Sequence, residues 1–400
     1  MQDASGPRSS MRAALVVAAA VAYAGLALIS GLDRLGAIDP VLAGMLPSPM
    51  LAQALRNKAT NAQSIGDEQN ALLLAREAVS RTPIEPASTA VLGAAMLGRE
   101  DEAGAERVFR AAAKMGWRVP LTQLYWMQAS LAANDYSNAA LRLDALLRQT
   151  PSLVANRKLL DTLEQSDEGR MALASRLAEQ PDWLRAYVDD VWNVSPQVLA
   201  LREAVLVDLA SSGHPLGCDR ISQFVQREVA LDDVEAAHEV WLAHCPDARA
   251  GSVYDGNFAR AQVSQTRASL SWTFVGTAGI AVLPEPGPRP GQTELAVDGT
   301  VTRPTVFVRQ LQLIRPGTYR VNWSARTDRG APSNRIVVGF DCGGPVEWQQ
   351  GQSDGKGLRS ALLKHDGRCN APWLSFALAP GSEAARLSEV TLSPVAATKP

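Results

Sequence analysis

The chain has 400 residues, 46% of them apolar and 20% charged, with a formal net charge of −2. That length exceeds one ordinary core and points to two or three domains. With no basic surplus to neutralise phosphates, the composition excludes a nucleic-acid footprint.

In chain order, Arg8 and Arg12 precede an uncharged run from Ala13 to Leu32, which Asp33 and Arg34 close. Its twenty residues, at ~1.5 Å each, span a hydrocarbon core of ~30 Å. No polar face appears at a helical period, which tells against a buried core helix. "AYAG" at 22–25 offers a small-x-small cleavage site, so a removable signal peptide is one reading. The run continues through Leu26, Leu28, Ile29 and Leu32, beyond the ~7–15 residues usual for a signal peptide. The expected element is therefore an uncleaved signal-anchor at 13–32, between a cytoplasmic tail at 1–12 and a linker at 33–51. The arginines ahead of it fit an N-in orientation. Either reading sends the rest of the chain out of the cytoplasm. The expected location is the inner membrane, single-pass, with the bulk of the chain periplasmic.

Three later stretches share one spacing: "NALLLAREAVSRTP" from Asn70, "GAERVFRAAAKMGW" from Gly104 and "NAALRLDALLRQTP" from Asn138. Aligned at period 34, the small position reads Ala71, Ala105, Ala139; four on come Ala75, Phe109, Leu143; seven on come Ala78, Ala112, Leu146. Spacings of four and three keep these side chains on one helical face. Pro83 and Pro151 close two of the helices, because proline cannot donate to the preceding turn. Leu92 and Gly93, with Met96 one turn on, mark a preceding helix. In its period and its Leu-Gly…Ala…Phe…Pro pattern this segment, roughly 52–151, resembles the tetratricopeptide repeat. The middle unit carries Leu92, Gly93, Ala105, Phe109 and Ala112 in register, while the first and third show Lys58-Ala59 and Trp126-Met127 at the Leu-Gly pair. The resemblance implies a solenoid surface for protein partners.

Past Pro151 the register decays but helical period persists. "SPQVLALREAVLVDLASSG" has a Ser195 cap, Pro196 in the first turn and a Gly213 stop. "CDRISQFVQREVALDDVEAAHEVWLAHC" predicts two helices, about 219–230 and 233–244, joined by a tight turn. In an antiparallel hairpin the start of one helix lies beside the end of the other. That places Cys218 against Cys245, a disulfide worth roughly 3 kcal/mol in the chain-entropy model. The helical-repeat domain is expected to span 52–249.

The texture changes near Ala250, where Gly and Pro rise and short β-branched and aromatic runs appear. Strands are expected at 270–274, 293–298, 305–313, 318–326, 335–341, 372–378 and 386–392. Tyr319, Val321, Trp323 and Ala325 alternate with Arg320, Asn322 and Ser324, so one face is buried. Trp272 and Trp323 read as core. Short strands so spaced predict an antiparallel sandwich over 250–394, followed by a tail at 395–400. Cys342 and Cys369 stand at two strand ends, which places a second disulfide there. "YDGNF" from Tyr254, "LIRPGTYRVNWSART" and the closing "LSEVTLSPV" resemble the jelly-roll carbohydrate-binding modules. The resemblance covers about 140 residues, and it implies a jelly-roll-like head with polysaccharide as a further ligand.

No Walker, dinucleotide or Gly-x-Ser-x-Gly motif occurs, and no cofactor or enzyme activity is expected. His238 and His244 are six apart and lack zinc spacing; His244 beside Cys245 reads as a surface helix end, and no metal is expected. Asp189-Asp190 and Asp232-Asp233 read as solvated helix ends. In "GGPVEWQQGQSDGKG", Trp348 sits in a polar loop with Gln350 and Asp354. An exposed Trp348 would stack on a sugar ring; partial burial under the loop is the alternative. The sequence thus predicts a membrane-anchored periplasmic scaffold, with an accessory glycan hydrolase or transferase as the rival.

Overall fold

The computed structural model describes residues 8–36, 38–39, 41, 52–245, 248, 253–261, 270–277, 279–287, 289 and 292–395. Residues 1–7 of the expected tail at 1–12, 396–400 of the tail at 395–400, 42–51 of the linker at 33–51 and the boundary at 249/250 lie outside them. The chain divides into two compact units, Met1–Thr150 and Pro151–Pro400.

In the first unit, helix α1 (Arg8–Gly36) runs past the expected end at Leu32. Its segment Ala14–Gly36 has a mean hydropathy of 2.2 and no buried residue before Gly36, which is buried, and it is long and apolar enough to cross a membrane. Hydrogen bonds tie its end to the next helix. Asp33 Oδ1 accepts from the backbone N–H of Gln53 (2.8 Å) and Ala54 (3.1 Å), capping α2 (Ala52–Ser64). Asn57 Nδ2 in turn donates to the Gly36 carbonyl at 2.9 Å.

The array consists of three helix pairs: α2 with α3 (Glu68–Arg81), α4 (Pro86–Gly98) with α5 (Glu102–Met115), and α6 (Pro120–Ala132) with α7 (Tyr136–Leu147). The first helices start at 52, 86 and 120 and the second at 68, 102 and 136, so both series keep the period of 34. The turn inside each pair is also repeated. Gly66, Glu100 and Asn134 adopt positive φ (79°, 63°, 57°). The next residue, Asp67, Asp101 or Asp135, caps the second helix by accepting from the N–H three residues on. Ala71, Ala105 and Ala139 are wholly buried, as are Ala75, Ala78, Ala112 and Leu143. A Cβ at Gly93 would stand 2.8 Å from the Phe109 ring, so the ring lies directly on the α4 backbone. Leu92 is half-buried and packs on the cluster of Ala59, Ala75 and Ala95.

In the second unit, a 3-10 turn (Pro151–Ala155) leads into α8 (Arg157–Gln165), α9 (Asp167–Leu177), α10 (Leu184–Asp189) and α11 (Pro196–Ser211). The hairpin of α12 (Cys218–Ala230) and α13 (Val234–His244) reuses the repeat's turn. Asp232 takes φ 66°, and Asp233 caps α13 by accepting from Ala236 N–H at 3.1 Å. Counted from the capping Asp, Ala237, Trp241 and His244 occupy the positions of Ala105, Phe109 and Ala112. The Sγ atoms of Cys218 and Cys245 lie at disulfide distance across the two helix ends, with Cα atoms 4.8 Å apart. His244 corrects the surface expectation: it is fully buried, because it stands on the inward face of that hairpin. Its Nδ1 accepts from Leu216 N–H at 3.1 Å, and burial lowers its pKa to about 4, which keeps it neutral.

The sandwich has ten strands among the described residues: β1 (Thr273–Phe274), β2 (Ile280–Pro286), β3 (Thr293–Gly299), β4 (Thr305–Leu311), β5 (Gly317–Thr327), β6 (Ile336–Asp341), β7 (Gln352–Ser353), β8 (Leu358–His365), β9 (Trp373–Leu378) and β10 (Ala385–Pro394). They form two antiparallel sheets, β1-β4-β9-β6 and β2-β3-β10-β5-β8-β7. The expected strands are all present, and three more appear. β2 carries Pro284 and Pro286, which an edge strand tolerates, and it is an edge. β8, "LRSALLKH", lacks the β-branched and aromatic residues that mark a strand. The two-residue β7 is too short to register in a sequence pattern.

Between the sheets Trp272 packs on Phe258 (4.9 Å between centroids) and Phe376 (5.9 Å), and Phe376 reaches Trp323 (6.1 Å). The "YDGNF" opening is part of this core. Trp272 Nε1 donates to the Asp255 carbonyl at 2.9 Å, and Val390 N–H donates to the Gly256 carbonyl at 2.8 Å. A Cβ at Gly256 would overlap the Val390 carbonyl oxygen, so only glycine fits. Cys342 and Cys369 also lie at disulfide distance, their Cα atoms 5.6 Å apart.

These packings carry two expectations. Ala105→Trp should overpack the array and cost about 1–3 kcal/mol, whereas Arg99→Trp, at a helix end, should cost little. Thermal melts that tolerate both equally would rule out the 34-residue register. The second concerns Glu203 and Glu228. Burial first, then the carboxylates of Glu239 and Asp233, push Glu203 up to about 7. Burial, Glu203 and Asp233 push Glu228 up to about 7. Each carboxyl binds its proton more tightly when folded, so the added stability is complete below the ordinary value of 4.5 and is lost as pH rises through about 7. The melting temperature should therefore fall between about pH 5 and pH 8, and Glu228→Gln should flatten that fall. A melting temperature that rises over this interval would contradict the assignment.

Candidate functional site

Alternation along β5, β10 and β3 sends Val321, Trp323, Ala325, Leu387, Leu295 and Val297 into the core. The intervening residues emerge on the outer face of the six-stranded sheet. The register puts Ala296 beside Arg386 and Arg386 beside Arg326, with Ser324 paired to Ser388. Arg386 organises the charges of this face. Its Nη1 contacts Glu285 (2.8 Å) and Glu294 (3.9 Å), and its Nε contacts Asp328 (3.0 Å). The Glu285 hydrogen bond raises its already high pKa further.

Beside this network lies a polar pocket of about 200 Å³, lined by Arg289, Gln292, Glu294, Ser324, Arg326, Ser388 and Glu389. A β-bulge builds one wall. The pairing of β10 with β5 shifts between Ser388 and Thr391, and Glu389 takes a φ of 54°. Bulges re-aim side chains, and a non-glycine residue held at positive φ stores strain. The Glu389 carboxylate meets Arg289 Nη1 at 3.0 Å and Gln292 Nε2 at 3.3 Å. Ser388 Oγ donates to Glu294 Oε1 at 3.3 Å. Two buried atoms of the lining have no hydrogen-bond partner among the described residues: Arg326 Nε, a donor, and Gln292 Oε1, an acceptor. Buried polar groups are normally satisfied, and a hydroxyl group can meet either kind of deficit.

The sequence-expected residues lie elsewhere. Trp348 is half-buried rather than free, because it pairs into the edge of β6: Val338 and Gln349 exchange both backbone hydrogen bonds (3.0 and 2.8 Å). A Cβ at Gly339 would come 3.4 Å from Trp348 Cε3, so the indole rests on the bare backbone of β6. Gln350 Nε2 donates to the Asn334 carbonyl at 3.1 Å. Asp354 Oδ1 accepts from Lys356 N–H (2.7 Å) and Leu358 N–H (3.0 Å), shaping the turn into β8. Gln350 and Asp354 thus hydrogen-bond to backbone rather than to each other. The polar pocket was missed because its residues come from β3, β10 and β5 and the loop before β3. One signal does exist: inward Leu387, Val390 and Leu392 are spaced three and then two, and the extra residue is the mark of a bulge.

Cys342, His365 and Cys369 bring metal-ligand atoms within 4.8 Å of one another. The two sulfurs are at disulfide distance, which spends them. His365 packs edge-on against Phe340, and burial lowers its pKa.

No family model matches the sequence, and no curated protein does. Solved structures similar to the chain include the enzymatically active domain of tailspike protein 4 from bacteriophage CBA120 (13% identity, TM-score 0.25), covering 36% of this chain and 21% of that one. TmCBM61 in complex with beta-1,4-galactotriose is 12% identical, with 37% of this chain and 100% of that chain covered and a TM-score of 0.24. A family GH115 4-O-methyl-alpha-glucuronidase with specificity for decorated arabinogalactans is also 12% identical, with 82% and 44% covered and a TM-score of 0.21. TM-scores this low carry no argument about ligand or activity.

The seat of Trp348 on Gly339 has a measurable consequence. Trp348→Ala uncovers the edge of β6 and should lower stability by about 1 kcal/mol, read as a drop of a few degrees in melting temperature. An unchanged melting temperature would show that the indole contributes nothing to packing.

Proposed function

We propose that the protein is a membrane-anchored binding protein of the bacterial envelope, whose sandwich holds a glycan in the polar pocket of the six-stranded sheet. The observation that carries this reading is the unmatched pair, Arg326 Nε and Gln292 Oε1. A hydroxyl group both donates and accepts, so sugar hydroxyls match both deficits, and Ser324, Ser388 and the two carboxylates supply further partners. The absence of an aromatic among the lining residues favours an end-on or side-chain contact over stacking along a chain.

The remaining parts take supporting roles in this reading. Helix α1 anchors the chain in the inner membrane as a single span, with the bulk periplasmic; the two cysteine pairs at disulfide distance suit that compartment. The tetratricopeptide-like array of α2 to α7 offers its surface to protein partners, as such solenoids do. A scaffold in surface polysaccharide assembly or export would use both. The protein binds rather than converts its glycan: Glu389 is held by Arg289, and Glu294 lies beside Arg386. Two carboxylates in one pocket nevertheless favour an accessory glycan-active enzyme as the second reading.

The test is a glycan array probed with the detergent-solubilised full chain. Retention should be lost in Arg326→Met and Gln292→Leu variants whose melting temperatures stay close to wild type. Loss in Trp348→Ala with retention in both pocket variants would move the site to the four-stranded sheet. Turnover of a retained glycan would replace the binding reading with the enzymatic one, and retention of no glycan would end both.

A further inference from the structure

The second unit holds another cavity, formed wholly by its helical part. The 3-10 turn at Pro151–Ala155, α8, α10 and the start of α11 enclose about 630 Å³. That volume lies in the ~300–1,000 Å³ range of small-molecule sites. Its lining includes Arg157, Arg202, Asp189, Asp190, Trp192 and Val198.

Arg202 is 2% exposed. Its Nη1 donates to the Tyr187 carbonyl (3.0 Å) and its Nη2 to the Val154 carbonyl (3.4 Å), and the guanidinium lies 4.8 Å from the Tyr187 ring centroid. Its Nε is buried without a partner among the described residues. Arg157 shows the same deficit. Its Nη2 binds Asp161 and Glu164, while its Nη1 is buried and unmatched. Glu164, fully buried, also accepts from Tyr187 Oη at 2.9 Å, so its oxygens are engaged. Two arginines that line one cavity therefore each keep a buried N–H group with no acceptor among the described residues. Arginine cannot lose its proton to relieve this, and a buried unpaired donor of a charged group is costly. The missing partner is an acceptor, and an anionic one offsets the cost best.

The surroundings narrow the anion. Asp161 and Glu164 already neutralise Arg157, and Asp190, with Asp189 paired to Arg185 at 3.4 Å, adds negative charge at the cavity. A phosphate dianion would meet repulsion there, whereas a single carboxylate carries half its charge. Val154, Ala186, Val194 and Val198 add apolar lining beside the polar Ser152, Asn193 and Ser195, and Trp192 is held at the surface by Gln223 Oε1, which accepts from its Nε1 at 3.1 Å, and by Arg227, 5.6 Å from its ring.

We propose that this cavity binds a carboxylate borne on an apolar body, a peptide C-terminus or a short aliphatic acid. Arg202 and Arg157 receive the carboxylate, and Val198 and Trp192 cover the apolar body. Ligand-observed NMR on the solubilised full chain tests this with four probes: N-acetyl-leucyl-leucine, its C-terminal amide, hexanoate and inorganic phosphate. At least one of the two acids should bind, and about tenfold or more tighter than the amide or phosphate. The acid that binds distinguishes the peptide source from the aliphatic one. The cavity-filling variants Val198→Trp and Ala186→Phe leave the arginines in place and should abolish binding in whichever folds. Equal binding of acid and amide, preference for phosphate, or no binding of either acid at about 10 mM would overturn the proposal. So would undiminished binding in a folded cavity-filling variant.

Discussion

Helix α4 is apolar on nearly every face, and such a helix is stable only when neighbours cover it from two directions. Val91 and Ala95 pack on α2 and α3, while Ala90 and Gly93 meet α5. The middle pair therefore shares its core with the pair before it, and the spacing between those two is fixed by contact. The recurrent turn, a positive-φ residue followed by a capping Asp, sets the geometry of each pair before it stacks. Helix α1 poses the same demand differently, since its apolar surface has no buried residue before Gly36. A bilayer supplies cover of that kind, and the capping of α2 by Asp33 ties the position of α1 to the array.

The sandwich meets the demand with two sheets over one aromatic core. Its cost falls on the places where backbones must touch. Gly256 admits the Val390 carbonyl, and Gly339 admits the Trp348 ring. Because the inner faces absorb the apolar residues, the outer face of the six-stranded sheet is left to charge. There the bulge at Ser388–Thr391 interrupts the ladder and turns Glu389 toward Arg289. The strain of that residue and the pocket it helps to form are products of the same extra residue.

Both candidate sites rest on polar atoms that the fold buries without satisfying. They differ in sign. The sandwich pocket lacks one donor's and one acceptor's partner, which suits a neutral hydroxyl. The helical cavity lacks only acceptors, which suits an anion. At Arg335 and Arg359 the same kind of burial is answered internally, whereas Trp323 Nε1, Arg309 Nε and Ser375 Oγ are also buried without a partner among the described residues. Arg335 donates to the carbonyls of Ala379, Glu383 and Gly299, and Arg359 to those of Ser333 and Gln350. These arginines fasten loops.

The sequence by itself determined what local periodicity and composition can record. The period of 34, the buried Ala71, Ala105 and Ala139, the apolar run of α1, the close pairing of Cys218 with Cys245 and the inward face of β5 were all legible. Each depends on which residues of a single element are apolar, or on two elements joined by a short turn. The edge strand β2, masked by its prolines, and β8, masked by its leucines and lysine, were not. Nor was the burial of His244, whose position becomes inward only once the hairpin folds onto α11. The polar pocket draws Glu294, Arg326 and Ser388 from three strands brought side by side by non-local pairing. The helical cavity likewise sets Arg157 against Arg202. Tertiary structure alone decided these sites, because a sequence pattern states which face must be covered but not which distant segment will cover it.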